Sequence, residues 1–273
     1  MVVVSAMGRK GQPYATDTLR SLVEEDFLDK NTLAADLLMG CGELISTVVM
    51  SSELFNKGID AVPLMGGQAG IITDNNFNNA SVLRVEKDRI VDLLKKDKIP
   101  VVAGFQGKSE DGYITTLGRG GSDVTAALLG TALEAESVEI YTDVDGIMTA
   151  DPRIVENASL IKEISYNEVF QFADQGAKVI HPRAVEIAMT SNIKLVIKNT
   201  MTDCKGTTIN NIGIKNSNNV ITGITHMSNR TQIIVDAEEN KGNKNYTNLL
   251  NSLAENSISI DLINVFPKEK YSL

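Results

Sequence analysis

Gly118-Arg-Gly-Gly-Ser-Asp123, followed by Tyr141-Thr-Asp-Val-Asp-Gly-Ile-Met-Thr-Ala-Asp-Pro-Arg153, is the pair of segments on which the reading of this chain turns. Gly120 and Gly121 let backbone N–H groups come close to a ligand, and Ser122 adds a hydroxyl. Arg119 adds a forked, permanent positive charge suited to carboxylate or phosphate. The helical stretch that follows, from Ser122 to Glu134, aims its positive end at the same point. Asp123 is the anomaly, because a carboxylate in an anion site costs electrostatic energy and so points to a task of its own. Taken alone, a Gly-rich strand-to-helix turn serves structure as readily as binding. The second segment shifts that balance. Glu139-Ile-Tyr-Thr142 reads as a strand running into a polar loop with Asp143, Asp145-Gly146 and Asp151-Pro152-Arg153, and open α/β sheets take ligands outside such strand ends. Two loops of this kind in consecutive strand-loop units point to a nucleotide site without naming the nucleotide.

Working outward, 273 residues with 42% hydrophobic content suffice for a full core, in one large domain or two. The formal net charge of -9 argues against a nucleic acid or an acidic membrane as partner, so local Arg and Lys must capture any anionic substrate. Cys41 and Cys204 are the only cysteines and show no disulfide or metal-ligand spacing, which suits a reduced, cytoplasmic setting. With His181 and His226 as the only histidines, a His-based triad or His-rich metal site is not expected. No continuous apolar run approaches the ~18 residues of a membrane span, and no signal peptide opens the chain. Val2-Val-Val-Ser5 reads as a buried strand at the very start, and domains rarely begin inside a central strand. The chain is therefore expected to have lost its front.

Strands are expected at Val2–Ser5, Ile59–Met65, Ile99–Phe105, Val138–Thr142 and Ile193–Lys198. Helical patterns lie between them, at Leu33–Asn56 (interrupted near Gly40 and Gly42), Lys87–Lys96, Ser122–Glu134 and Pro182–Thr190. This alternation implies an α/β fold with a mainly parallel sheet covered on both faces. Gly107–Thr116, with Asp111-Gly112 at its centre, reads as a β-hairpin. From Asn199 to Asn219 the composition turns to Asn, Thr, Ser, Lys and Gly, which reads as a domain boundary. Beyond it, Ile221–His226 and Gln232–Asp236 look like strands, Tyr246–Glu255 like a helix and Ile258–Val265 like a strand, the start of a small regulatory-type β-α-β domain.

Seven segments resemble the aspartokinases in sequence and in order. They are Val3-Val-Ser-Ala-Met-Gly8, Cys41-Gly-Glu43, Val102-Ala-Gly-Phe-Gln-Gly107, Gly118–Asp123, Thr142-Asp-Val-Asp-Gly146, Thr149-Ala-Asp-Pro-Arg153 and Gly176-Ala-Lys-Val-Ile-His-Pro182. The stretch from Met7 to Asp17 is most similar to the diaminopimelate-pathway members of Gram-positive bacteria. The resemblance implies the three-layer αβα amino-acid-kinase fold over residues 1–210 and a partial α+β ACT regulatory domain over 220–273. It also implies transfer of the γ-phosphoryl group of Mg-ATP to the β-carboxylate of L-aspartate, which gives 4-phospho-L-aspartate. That nucleophile is already an anion at neutral pH, so no general base is needed, in keeping with the few histidines. Implied partners are a homodimer mate and a feedback amino acid (lysine, threonine or diaminopimelate) at the ACT region.

By the same resemblance, Arg119 holds a carboxylate of aspartate with Gly120, Gly121 and Ser122, and Glu43 receives the ammonium group. Ser5, Thr16 and Phe105 line that pocket. Thr142, Asp143, Met148, Asp151 and Arg153 hold the nucleotide, Mg2+ is held through the ATP phosphates, Lys178 stays near those phosphates, and Asp123 orients the phosphate-binding groups. Plainer readings stand beside each of these. Glu43 could serve a helix terminus, Lys178 could be a surface lysine, and Asp151-Pro152 is a common turn starter. His181-Pro182 reads as a helix entry and is left out of the site, and Cys41 reads as a small buried residue. Met148 stands where many members carry Tyr, so packing about the base or ribose is expected to differ. Members also open with a Lys-Phe-Gly-Gly-Thr-Ser strand and continue through two ACT modules, so the chain is expected to be trimmed at both ends. Two other functions are compatible with these residues: a non-catalytic or regulatory remnant, or another kinase of the same fold.

Overall fold

In a computed structural model that describes residues 1–174, 179–213, 221–226, 231 and 242–256, the chain opens with β1 (Val2–Val4), α1 (Thr16–Arg20), α2 (Glu25–Lys30), α3 (Thr32–Asn56) and β2 (Ala61–Leu64). It continues through β3 (Ile71–Thr73), β4 (Val82–Val85), α4 (Asp88–Leu94), β5 (Ile99–Ala103), β6 (Gln106–Ser109), β7 (Ile114–Thr116) and α5 (Gly121–Ala132). Then follow β8 (Ser137–Thr142), β9 (Glu163–Ser165), α6 (Tyr166–Asp174), α7 (Pro182–Ser191), β10 (Lys194–Asn199), β11 (Thr207–Asn210) and α8 (Gly242–Glu255). Met1–Met227 and Ser228–Leu273 are separate compact units, and α8 belongs to the second.

The strands form three sheets, ordered β1-β5-β2, β8-β10-β11-β9 and β4-β3-β6-β7. Parallel pairs dominate: β1 and β2 flank β5, β8 lies beside β10, β9 beside β11 and β3 beside β6. β5 explains why. Val101, Val102 and Ala103 are fully buried, the continuous apolar run of a strand covered on both faces. The expected hairpin is present as antiparallel β6 and β7. α5 packs on β8, β1 and β4, one strand from each sheet, and against α7.

Several expectations are corrected. β1 is half-buried rather than buried, because β5 pairs with it along one side only. α3 runs unbroken through Gly40 and Gly42. Those glycines make room: a Cβ on Gly42 would lie 2.7 Å from Ala6 Cβ, and one on Gly40 would lie 3.3 Å from Gln106 Nε2. α3 is also long and apolar enough to span a membrane. Its buried Asp36 and Glu43, and its packing on β2, β5 and β7, make it a core helix instead. The polar 199–219 stretch is not a plain boundary, since β11 within it pairs antiparallel with β10. Residues 221–226 form no strand. They are tied into the first unit where Ile224 N–H donates to Thr149 O (2.8 Å) and Thr222 Oγ1 donates to Glu168 Oε1 (2.6 Å). Gln232–Asp236 and Ile258–Val265 lie outside the described residues.

One buried carboxylate fastens α3 to the rest. Asp36, fully buried, accepts from the N–H groups of Asn78 (2.9 Å) and Thr116 (2.8 Å) and from the Thr116 hydroxyl (2.7 Å). Burial pushes its carboxyl above the ordinary range, although these donors pull the other way. Removing it strands buried donors, which costs about 1–3 kcal/mol for each unsatisfied group. Asp36→Ala is therefore expected to lower the midpoint of thermal unfolding sharply. Exposed Asp29→Ala, followed by the same circular-dichroism melt, should leave it almost unchanged.

Candidate active site

The C-terminal ends of β1 and β5 lie side by side, and the crevice they open is closed in by α3 on one flank and the 118–123 turn on the other. Gly104 N–H, just past β5, donates to Val4 O (2.9 Å). A Cβ on Gly104 would sit 2.8 Å from Ser122 Oγ, and one on Gly121 would sit 2.8 Å from Phe105 Cα. The Gly-rich turn therefore rests directly on the Gly104-Phe105 backbone. Phe105 itself is left-handed (φ 66°) and is held by donation from its N–H to Thr125 Oγ1 (3.1 Å) and by acceptance at its carbonyl from Leu117 N–H (2.8 Å). A non-glycine residue held there against its preference marks a place where geometry is imposed from outside.

On the other flank, Glu43 is 4% exposed and its Oε1 accepts from Ala6 N–H (3.1 Å). Its Oε2 is buried without a hydrogen-bond partner among the described residues. Desolvation raises the carboxyl to about 7. The helix-terminus reading of Glu43 is corrected, for it lies well inside α3. Ser5 is exposed at the end of β1, and Thr16, half-buried, opens α1 between Tyr14 and Leu19, which both approach Gly42.

Arg119 and Gly120 are exposed, Gly121 is buried, and Ser122 and Asp123 are half-buried in the first turn of α5. Arg119 makes no hydrogen bond or ion pair with any described residue, so its guanidinium is available. Asp123 Oδ2 accepts from His181 N–H (3.3 Å), and burial is the main cause that raises its pKa. Its observed partner is thus the start of α7. Lys178 lies outside the described residues.

The second loop forms its own cluster at the end of β8. Thr142 is half-buried and its hydroxyl donates to Asp143 Oδ1 (3.3 Å). Met148 pairs with Leu160 in an isolated antiparallel bridge. Thr207, buried on β11, accepts from Ile147 N–H (2.8 Å) and donates to Ile161 O (2.6 Å), so one core hydroxyl staples both ends of this excursion. Arg153 donates twice to Asp151 (3.0 and 2.7 Å), and this pair holds the Asp151 carboxyl down to about 2. Arg9, which the sequence reading passed over, donates to Asp143 Oδ2 (3.1 Å) and connects the two clusters at the surface. His181-Pro182 is the helix entry expected, with His181 as the N-cap of α7, and the contact of His181 and Arg183 with the turn is what the sequence reading missed. A separate cavity of about 370 Å3, lined by Met65, Gln68, Arg89, Gln106 and Lys108 among others, contains none of the expected site residues.

Among the described residues, the arrangement presents an uncommitted cation, a buried carboxylate with a vacant oxygen and the N-terminus of α5 around one crevice, with the start of α7 tied to the turn through Asp123. It can hold a small molecule that carries both carboxylate and ammonium groups. The profile of the amino acid kinase family matches residues 1–199. The chain is 44% identical to aspartokinase 1 of Bacillus subtilis (strain 168), over 98% of this chain and 68% of that protein. It is 40% identical to the aspartokinase of Geobacillus stearothermophilus, over 96% and 63%. Among solved structures, E. coli aspartokinase III in complex with aspartate and ADP (R-state) superposes with a TM-score of 0.68 at 30% identity, covering 92% of this chain and 57% of that one. The chain thus spans roughly two thirds of the length of these curated relatives. The family profile, these relatives and the fold agree in placing it: the chain belongs to the amino acid kinase family and, within it, to the aspartokinases.

Proposed function

We propose that this chain is an aspartate kinase that joins the γ-phosphoryl group of ATP to the β-carboxylate of L-aspartate. The observation that carries the reading is Glu43, a buried carboxylate with an unpartnered oxygen beside the β1 terminus, in a crevice whose opposite wall offers the uncommitted Arg119. A buried carboxylate of this kind is costly alone and is compensated by an ammonium group. Arg119 and the Gly120–Ser122 amides bind a carboxylate of the substrate, and Ser5, Thr16 and Phe105 shape the pocket. A carboxylate oxygen bonds to the γ-phosphorus as the bond to the bridging oxygen breaks, and ADP leaves. No proton needs to be removed, so positioning and charge supply the catalysis. Thr142, Asp143, Met148, Asp151 and Arg153 hold the nucleotide, which fits a polar loop at a parallel strand's C-terminal end. Mg2+, carried by the phosphates, neutralises their charge. Lys178 is assigned to the phosphates by its motif, and Asp123 keeps this end of the site in place. The same reading makes the chain a cytoplasmic homodimer subunit under feedback by lysine, threonine or diaminopimelate.

The test is acyl-phosphate formation from aspartate and Mg-ATP, trapped as the hydroxamate, alongside calorimetric binding of aspartate. Arg119→Ala is expected to abolish turnover and to weaken aspartate binding by roughly 2–4 kcal/mol, the loss seen when a charge-assisted bidentate partner is removed. Absence of both binding and turnover in the unaltered chain would overturn the reading.

Glu43 makes a second prediction with a definite sign. In the free protein its carboxyl titrates near 7. A bound ammonium favours the ionised form, so binding aspartate releases up to about one proton near pH 6–7, and affinity rises with pH through that range. Calorimetry in two buffers of different ionisation enthalpy reads the proton directly, and Glu43→Gln should remove it. The stability effect runs the other way. A carboxyl raised from 4.5 to about 7 on folding gives the unliganded protein a relative stability present below pH 4.5 and lost by pH 7. Glu43→Gln should therefore flatten that part of the stability profile.

A further inference from the structure

The Gly118–Ser122 turn is rich in glycine, and a turn with so much backbone freedom does not hold Arg119 in one place unaided. Its restraint comes from the first residues of α7. Arg183 Nη1 donates to Leu117 O (2.8 Å), which fixes the strand end leading into the turn. His181 N–H donates to Asp123 Oδ2 (3.3 Å), on the helix leading out of it. Between these two bonds the imidazole of His181 lies against Gly120, where an added Cβ would stand 2.2 Å from Cγ of the ring and 2.5 Å from Cδ2. Gly120 is left-handed (φ 68°), so both its conformation and its neighbour exclude a side chain. His181 Nδ1 accepts from Arg183 N–H (3.3 Å) and caps α7, which leaves the proton of the neutral ring on Nε2.

We propose that His181 is a positioning residue for the proposed kinase reaction, its ring serving as the wall that holds the Gly118–Asp123 turn where Arg119 can meet the substrate carboxylate. The inference rests on the aspartate-kinase reading for its kinetic consequence, but the restraint on the turn can be measured without substrate. A cap alone would stabilise α7 and leave the turn indifferent to the ring. His181→Gly separates the two roles, because Gly is tolerated at a helix N-cap and removes every side-chain atom that stands over Gly120, Cβ included.

The experiment compares the unaltered chain with His181→Gly, Gly120→Ala and the Gly120→Ala/His181→Gly double variant. His181→Gly should melt close to the unaltered protein, yet the amides of residues 120–123 should exchange with deuterium on the order of tenfold faster. Its KM for aspartate should rise by about tenfold or more, with a smaller loss in kcat and little change in KM for ATP, as expected when a binding group is misplaced rather than removed. Gly120→Ala should be severely impaired by collision with the ring, and the double variant should recover part of that loss. Unaltered amide exchange in His181→Gly would sink the proposal whatever the activity. So would strict additivity in the double variant, because it would mean that ring and turn do not press on each other. If the unaltered chain binds no aspartate while the exchange result holds, the aspartate reading fails and the clamp on the turn stands.

Discussion

The site depends on glycine backbone brought so close to its neighbours that no side chain fits on the glycine. Gly104 against Ser122, Gly121 against Phe105 and Gly120 against His181 are approaches that a single methyl group would block, at 2.8, 2.8 and 2.2 Å. Such contacts put N–H groups, not hydrocarbon, at the surface of the crevice. They require a scaffold that tolerates strain, and Phe105 carries some of it in a left-handed conformation that costs a non-glycine residue of order 1–3 kcal/mol. Two hydrogen bonds and the apolar contacts of its ring with the Leu28, Ala35 and Met39 cluster hold it there. The stability of the small α2–α3 cluster is thus linked to the position of a residue in the pocket.

Charge follows from the same crowding. Glu43 and Asp123 are both pushed toward the neutral form by burial, on opposite flanks of the crevice. Asp123 has a backbone N–H as partner, which explains a carboxylate at an anion-binding turn in structural terms: it ties α5 to α7. Glu43 keeps an oxygen without a partner, so the protein carries an unsatisfied cost that a ligand can relieve. Asp36, equally buried on the same helix, has every oxygen engaged. The contrast between these two carboxylates, eligible on composition for the same role, gives one to architecture and is why the proposed function gives the other to binding.

The strands and main helices expected before residue 199 were legible because their apolar runs were bounded by turn residues. Periodicity failed where packing overrode local signals. Gly40 and Gly42 read as breaks in a helix, yet they face Gln106 and Ala6, and the surrounding contacts keep α3 continuous. β11 was hidden in a stretch of Asn, Thr and Lys because its decisive residue, Thr207, is polar and still fully buried, satisfied by Ile147 and Ile161. β3 and β9, three residues each, are too short for any periodic signal. In the site, Glu43, Arg119 and the glycines were reached from the residues and their motif order. Arg9 and His181 were not, since the pairing of Arg9 with Asp143 joins residues far apart in sequence and the ring over Gly120 is a matter of shape.

The two halves of the crevice are joined unequally. At the back, α5 packs on both β1 and β8, and a helix wedged between two sheets moves only with its core. At the mouth, the observed link is Arg9 to Asp143, whose side chains are 84% and 73% exposed. An exposed pair of this kind contributes about 0–1 kcal/mol. Arg153 is similarly committed only to its neighbour Asp151, in a contact that an incoming phosphate can replace with one of the same geometry. Opening or narrowing the mouth therefore costs little, whereas shifting the floor would disturb a buried core. In the proposed function, a ligand that reaches both clusters needs only a small differential affinity to favour the narrowed form. On that reading the rigid floor sets the relative placement of the two bound groups, and the weakly held rim lets them enter and leave.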